Sequence, residues 1–100
     1  MSDDLHTVTA SDFEPLLNET FLIQFSGETA INSTLVDVSQ FNGYSTLERK
    51  PFSITFKTHQ QVNFPQSIYI VNHPVKGELQ IFLVPIGFEG NGMKYEAVFS

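Results

Sequence analysis

Hydrophobic and polar residues alternate with a period of two along most of the chain, a pattern typical of β-strands with one buried face. The clearest case is residues 52–57, where Phe, Ile and Phe alternate with Ser, Thr and Lys. Strands are predicted at residues 21–25, 30–41, 52–57, 68–73, 79–84 and 93–99. Because no helical pattern separates these strands, we expect an antiparallel, all-β sheet.

Six short strands in one small chain must protect their edges, either by closing or by forming two layers. We therefore predict a small antiparallel six-stranded barrel, closed or partly open, with a β-sandwich as the alternative. Within residues 30–41 the alternation changes phase at Leu35 and Val36, which indicates a bulge or a strong bend. Pro85 has no N–H to donate to a ladder, so the strand that begins at Leu79 should end or bend there.

The last third of the chain contains the clearest hairpin signal. Two strand-like runs bracket Gly87-Phe88-Glu89-Gly90-Asn91-Gly92, whose three glycines are expected to supply positive φ angles in the connection. This segment lacks the alternating acids of an EF-hand, and no helix follows it that would bind a phosphate. We interpret it as a turn.

One short N-terminal helix is predicted near Asp12–Asn18. Ser11 and Glu14 have the spacing of a capping box, and an apolar i, i+3, i+4 stripe begins at Phe13. Pro15 comes late for the first turn, so the helix should be short or partly 3₁₀.

Length and composition favour one domain with an aromatic core. The 100 residues include ten Phe and three Tyr but no Trp and no Cys, which excludes disulfides and thiolate chemistry. We predict a flexible lead at residues 1–8 and a single β domain at residues 9–100. The aromatic residues expected mostly in the core are Phe21, Phe25, Phe52, Phe56, Phe82 and Phe99.

The charge distribution argues against nucleic acid and membrane partners. The net charge is −6, and the five cations are scattered along the chain rather than clustered. No apolar run approaches the ~20 residues of a membrane-spanning helix, and the acidic N-terminus lacks the apolar region of a secretory signal. We therefore expect a cytoplasmic protein.

No residue pattern predicts catalysis, a metal or a cofactor. The spacing of His6, His59 and His73 fits no metal motif, and no nucleophile elbow is present. His73 precedes Pro74 in a predicted turn, where its ring is expected to bond a backbone group. We predict a protein that is not an enzyme. A hydrolase using His73 or His59 with a carboxylate is the least favoured alternative.

Four aromatic residues fall in or beside predicted loops: Phe41, Tyr44, Phe64 and Phe88. If they are exposed together, they form a recognition patch for a protein partner or a second copy. The leading hypothesis is a non-enzymatic interaction or structural module that binds through these loops or through a sheet edge. The alternative is a small barrel that binds an apolar ligand, although six strands enclose little volume.

The chain also resembles a family of small uncharacterised bacterial proteins. The resemblance lies in Pro51-Phe52-Ser53-Ile54, Tyr69, His73-Pro74, Gly77, residues 82–87 and residues 95–99, with Asp12-Phe13 near the N-terminus. It implies an all-β domain of unknown function, some of whose members are encoded beside phage-tail-like proteins. It transfers no catalytic or binding residues, because the matching positions are mostly apolar or turn-forming. An accessory role in a bacterial or phage-tail-like assembly is what the resemblance implies.

Overall fold

A computed structural model of the chain describes residues 8–41 and 51–99. Its strands are β1 (Thr20–Gln24), β2 (Ala30–Gln40), β3 (Phe52–Thr58), β4 (Ser67–His73), β5 (Gly77–Glu89) and β6 (Gly92–Phe99). All neighbouring strands are antiparallel in the order β1-β2-β3-β6-β5-β4, and β4 pairs with β1 to close the barrel. The predicted closed barrel is confirmed, and the sandwich is not formed.

Side chains that alternate along the strands fill the barrel interior. Phe21, Phe52, Phe56 and Tyr95 are all fully buried, as expected for an aromatic-rich core. Each such ring removes about 150–250 Å² from water. The assignment of Phe82 to the core was wrong, since its side chain is 49% exposed on the outside of β5.

The predicted bulge in β2 is confirmed. Leu35 lies opposite Phe56 on β3, but the next pair is Asp37 with Thr55, which leaves Val36 as the extra residue. The extra residue resets the alternation, so that Leu35 and Val38 both face the core.

A second bulge lies in β5 at Pro85. Pro85 pairs with Tyr95 and Gly87 pairs with Lys94, so Ile86 is the extra residue. The strand bends there and then resumes as far as Glu89, because a bulge accommodates a residue without an N–H. The predicted connection at residues 87–92 is therefore too long, and the turn itself consists of Gly90 and Asn91.

The predicted short N-terminal helix is confirmed in 3₁₀ form, as two turns at Ala10–Asp12 and Glu14–Leu16, although its predicted bounds, Asp12–Asn18, lie two residues too late. The predicted cap at Ser11 is also wrong: Thr9 N–H donates to Asp12 Oδ2 at 2.8 Å, and Asp12 N–H donates to the Thr9 carbonyl at 3.0 Å. Pro15 has no N–H for an α-helical bond, which favours bonds that close over three residues. Among the described residues, no helix is long and apolar enough to cross a membrane.

Phe13, between the two 3₁₀ turns, closes one end of the barrel. It is fully buried, and its ring centroid lies 6.3 Å from those of Phe21, Phe52 and Phe99. We call this the helix end; the β1–β2 and β5–β6 hairpins lie at the other, the hairpin end. Val8, the last residue of the predicted lead, is buried in the same core. Residues 1–7 of that lead lie outside the described residues.

Candidate functional site

Apolar side chains on three adjacent strands project from the outside of the barrel. Ile68 on β4 lies directly opposite Phe82 on β5, and the two side chains are 60% and 49% exposed. Val98 on β6 is also 60% exposed. The β5–β6 ladder ends at the pair Val84–Glu96, and Val98 lies two residues beyond Glu96 on the same outward side of β6. Ile68 and Phe82 are thus a cross-strand pair, and Val98 points outward on β6, the next strand in the sheet; we call these three residues the apolar row.

The row widens into a surface along β5 and β4. Val84 and Ile70 are half-buried neighbours of the row, and Ile86 in the β5 bulge is 46% exposed. We call this surface the outer apolar face; it consists of Ile68, Ile70, Phe82, Val84, Ile86 and Val98. Contiguous exposed apolar area of this kind marks interaction sites on soluble proteins.

The fold does not require these residues to be apolar. On β5 the barrel core is supplied by Leu79, Ile81 and Leu83, all of which are buried. An antiparallel strand with one wet face normally carries polar residues there, as β5 does at Gln80. Phe82 breaks that rule.

Among the described residues, the charged side chains beside the outer apolar face, which we call its rim, are three glutamates, Glu78, Glu89 and Glu96, and two lysines, Lys57 and Lys94. Glu96 lies opposite Val84, and Glu78 lies four residues before Phe82 on the same side of β5. Lys94 is also on the rim, but its Nζ lies 3.7 Å from Glu89 Oε1 in an ion pair. Within residues 8–41 and 51–99, neither Glu78 nor Glu96 forms an ion pair.

A groove adjoins the β4 side of this face. The β1–β4 ladder ends at the pair Gln24–Ile70, and beyond it β4 pairs only with β5 among the described strands. Beyond that pair, the segments that follow β1 and begin β4 separate around a surface groove of about 380 Å³, which is lined by residues 24–27 and 67–70. Because Ile68 and Ile70 belong to both features, the groove continues the outer apolar face.

The structure does not bring the predicted loop aromatics together. Phe41 is 39% exposed at the start of β3, whereas Phe88 is 54% exposed opposite Met93, near the end of β3. Phe64 stacks on Phe25 with a centroid distance of 4.6 Å, so it is partly buried. Tyr44 lies outside the described residues. Phe41, Phe64 and Phe88 therefore do not form one patch. A contact role for each of the four residues stays a prediction.

His73 has a structural position. Its Nε2 lies 2.8 Å from the carbonyl oxygen of Asp12, and its Nδ1 accepts the N–H groups of Val75 and Lys76, both at 3.1 Å. A carbonyl oxygen only accepts, so Nε2 is the donor in the bond to Asp12. The predicted bond to the backbone is confirmed, and it engages both ring nitrogens.

His59 lies at the hairpin end and is exposed. Its Nε2 is 2.8 Å from Thr34 Oγ1. Among the described residues, no group of three or more His, Asp or Glu residues is placed to hold a metal ion. The hydrolase alternative stays an untested prediction.

The outer apolar face was missed in the sequence, although a local signal for it exists. Residues 81–86 are apolar without interruption, so the run itself does not show which side chains point outward. Each strand nevertheless contains a polar residue two or four positions from the exposed one: Gln80 before Phe82, Glu96 before Val98 and Asn72 after Ile68. Because side chains alternate along a strand, every second residue counted from those polar residues also points outward.

The fold and the surface together define a small closed β-barrel with an exposed apolar face. The chain belongs to the family described as domain of unknown function DUF6916, whose sequence model matches residues 8–99. That match spans every strand of the barrel and confirms the resemblance to an uncharacterised domain family. No curated protein and no solved structure matches the chain.

Proposed function

We propose that this domain is a non-enzymatic interaction module that docks a protein partner on its outer apolar face. The observation that carries the proposal is the exposed row Ile68–Phe82–Val98, on three strands whose opposite side already fills the core. Covering one such side chain fully contributes about 1.5–3 kcal/mol, so a partner gains most from this part of the surface.

The closed barrel favours this face over the other predicted contact surfaces. A closed sheet offers a partner strand less free edge than an open one; β4 lacks a β1 partner ahead of Ile70, and β5 lacks a β6 partner ahead of Val84. Of the described loop aromatics, Phe41 lies at the helix end, whereas Phe64 and Phe88 lie at the hairpin end, so these three offer no combined surface.

The alternatives have weaker support. The barrel interior is occupied by buried side chains such as Phe25 and Tyr95, whose ring centroids are 5.1 Å apart. A small apolar ligand would have to displace them. For a hydrolase, His73 would have to release backbone partners that use both of its nitrogens. The setting that we propose is an accessory role in a larger bacterial or phage-tail-like assembly.

Site-specific photo-crosslinking tests the proposal. A benzophenone amino acid replaces Phe82 in cells of the source organism, and the control replaces Val75, which is 84% exposed in the β4–β5 turn. We expect one discrete protein adduct from position 82 and none from position 75. The adduct should disappear when Ile68→Ser and Val98→Ser are added to the position-82 protein. Equal labelling at both positions, or no adduct at position 82, would overturn the proposal.

A further inference from the structure

We infer that the outer apolar face accepts a basic protein segment, in which apolar side chains are flanked by Lys or Arg. This inference rests on the proposed function, because it specifies the partner of the same surface. It is argued from the charges of the rim, which the apolar row alone does not explain.

Two carboxylates border the apolar row on opposite sides. Glu96 lies two residues from Val98 on the outside of β6, a separation of about 7 Å. Glu78 lies four residues from Phe82 on β5, about 13 Å toward the helix end. A segment that covers the row therefore meets one carboxylate on each side of it.

Two lysines lie on this rim among the described residues: Lys94, and Lys57 opposite it on β3, on the side of β6 away from β5. Lys94 pairs with Glu89, whereas Glu78 and Glu96 have no ion-pair partner among residues 8–41 and 51–99. Interfaces commonly combine an apolar centre with a polar rim whose charges complement those of the partner. Here that complement is positive.

The same charges disfavour other occupants. A second copy carries the same net charge of −6 and the same two rim carboxylates. An anionic bilayer surface and a nucleic acid are both negative, so the rim would repel them. A basic protein segment with apolar side chains would cover the apolar row and also pair its cations with the rim carboxylates.

Peptide titration tests the inference. Two soluble synthetic peptides share the same alternating Val and Phe residues, and their remaining positions are Lys in one and Glu in the other. Each is titrated into the ¹⁵N-labelled protein, and amide shifts are followed by NMR. We expect the Lys peptide to shift the amides of Phe82 and Val98, with an affinity that falls as ionic strength rises, and the Glu peptide to leave them unchanged.

A charge-matched pair of variants isolates the rim. E78Q/E96Q removes the two rim carboxylates, and E14Q/E28Q removes two exposed carboxylates elsewhere, so both lower the negative charge equally. We expect E78Q/E96Q to weaken binding of the Lys peptide by roughly two- to tenfold, as for two exposed ion pairs. E14Q/E28Q should change it little, and Phe82→Ser should abolish it.

Several results would overturn the inference while leaving the proposed function testable on its own. Equal binding of the Lys and Glu peptides, or no shift with either, would show that the rim does not select a basic segment. A concentration-dependent dimer that Phe82→Ser dissociates would make a second copy the occupant. Binding to vesicles of anionic phospholipid that requires Phe82 would make a membrane the occupant. Whether the face docks any protein partner is decided separately, by the crosslinking experiment at position 82.

Discussion

At the scale of single residues, two polar side chains fasten the ends of the barrel to its wall. His73 joins the β4–β5 turn to the helical segment through the carbonyl of Asp12, 61 residues away. At the hairpin end, the hydroxyl of Tyr95 accepts the N–H of Phe64 at 2.9 Å. Each bond satisfies a backbone group that secondary structure leaves unpaired. Loss of either side chain should therefore affect stability rather than binding on the outer apolar face.

The two nitrogens of His73 should be separable by substitution. His73→Asn keeps an acceptor near the position of Nδ1 for the turn N–H groups, whereas His73→Gln reaches the position of Nε2 opposite Asp12. We expect each variant to lose about 1–2 kcal/mol of the free energy of unfolding, and His73→Ala to lose more than either. Urea unfolding measures the difference, with exposed His59→Asn as the control. An Ala variant as stable as the Asn variant would contradict the assignment.

The buried tyrosines predict a loss of stability in alkali. Burial raises the pKa of Tyr69 and of Tyr95 above the ordinary value of 10.0; for Tyr95, the Phe64 N–H partly offsets this effect and the nearby Tyr69 adds to it. As pH rises, the unfolded chain therefore loses its phenol protons first. The contribution of the two tyrosines to the free energy of unfolding is therefore complete below about pH 10 and decreases as pH rises through their folded-state pKa.

Urea unfolding as a function of pH checks this expectation, with Tyr95→Phe as the comparison. Tyr95→Phe should cost about 1 kcal/mol at neutral pH, because Phe64 N–H loses its acceptor. Its stability should then fall less steeply in alkali than that of the unsubstituted protein. Identical slopes would show that Tyr95 does not contribute to the alkaline transition.

At the scale of strands, the bulges were predictable because each leaves a local mark in the sequence. Adjacent apolar residues at Leu35 and Val36 revealed the slip in β2, and Pro85 revealed the bend in β5. The length of β5 beyond Pro85 was not predictable, since it depends on β6 pairing again after the bulge. The reason for glycine at position 92 was not predictable either. Its φ is not positive; a Cβ there would collide with the carbonyl oxygen of Thr58 on β3.

The candidate surface was less predictable than the strands, for a related reason. The outward direction of Phe82 can be counted locally from Gln80. That Ile68 stands beside it depends on the register of the β4–β5 ladder. Val98 joins them only because β6 is the other neighbour of β5 in the closed barrel. A surface composed of three strands is a property of pairing rather than of any one segment.

The β5 bulge should depend on Gly87. Its φ of +134° lies in a region that side-chain-bearing residues rarely adopt, although a Cβ would meet no neighbour there. We expect Gly87→Ala to cost about 1–2 kcal/mol through backbone strain alone. Gly27→Ala is the control, because Gly27 has equal space without a positive φ and should change stability little. Thermal unfolding of both variants decides; equal melting temperatures would contradict the strain argument.

At the scale of the whole molecule, the barrel separates its stability from its exposed apolar surface. Phe13 and the strand interiors form a core that is complete without Phe82. Closure of the sheet also removes most of the edge that would otherwise attract another chain. The remaining apolar area faces outward on β4, β5 and β6, where a partner can cover it without disturbing the core.

That separation predicts opposite results for a core variant and a face variant. Phe13→Ala should lose about 3–5 kcal/mol, because it opens a cavity between Phe21, Phe52 and Phe99 at the helix end. Phe82→Ser should change the free energy of unfolding by no more than about 0.5 kcal/mol, as for an exposed position.

Binding should show the reverse order. At a temperature where Phe13→Ala is still folded, it should keep the affinity for the Lys peptide, whereas Phe82→Ser should lose it. Circular dichroism establishes the folded fraction before each titration, so that unfolding is not mistaken for lost binding. A large loss of stability in Phe82→Ser would mean that packing of the apolar row contributes to the stability of the fold. Its exposure would then no longer indicate a docking surface.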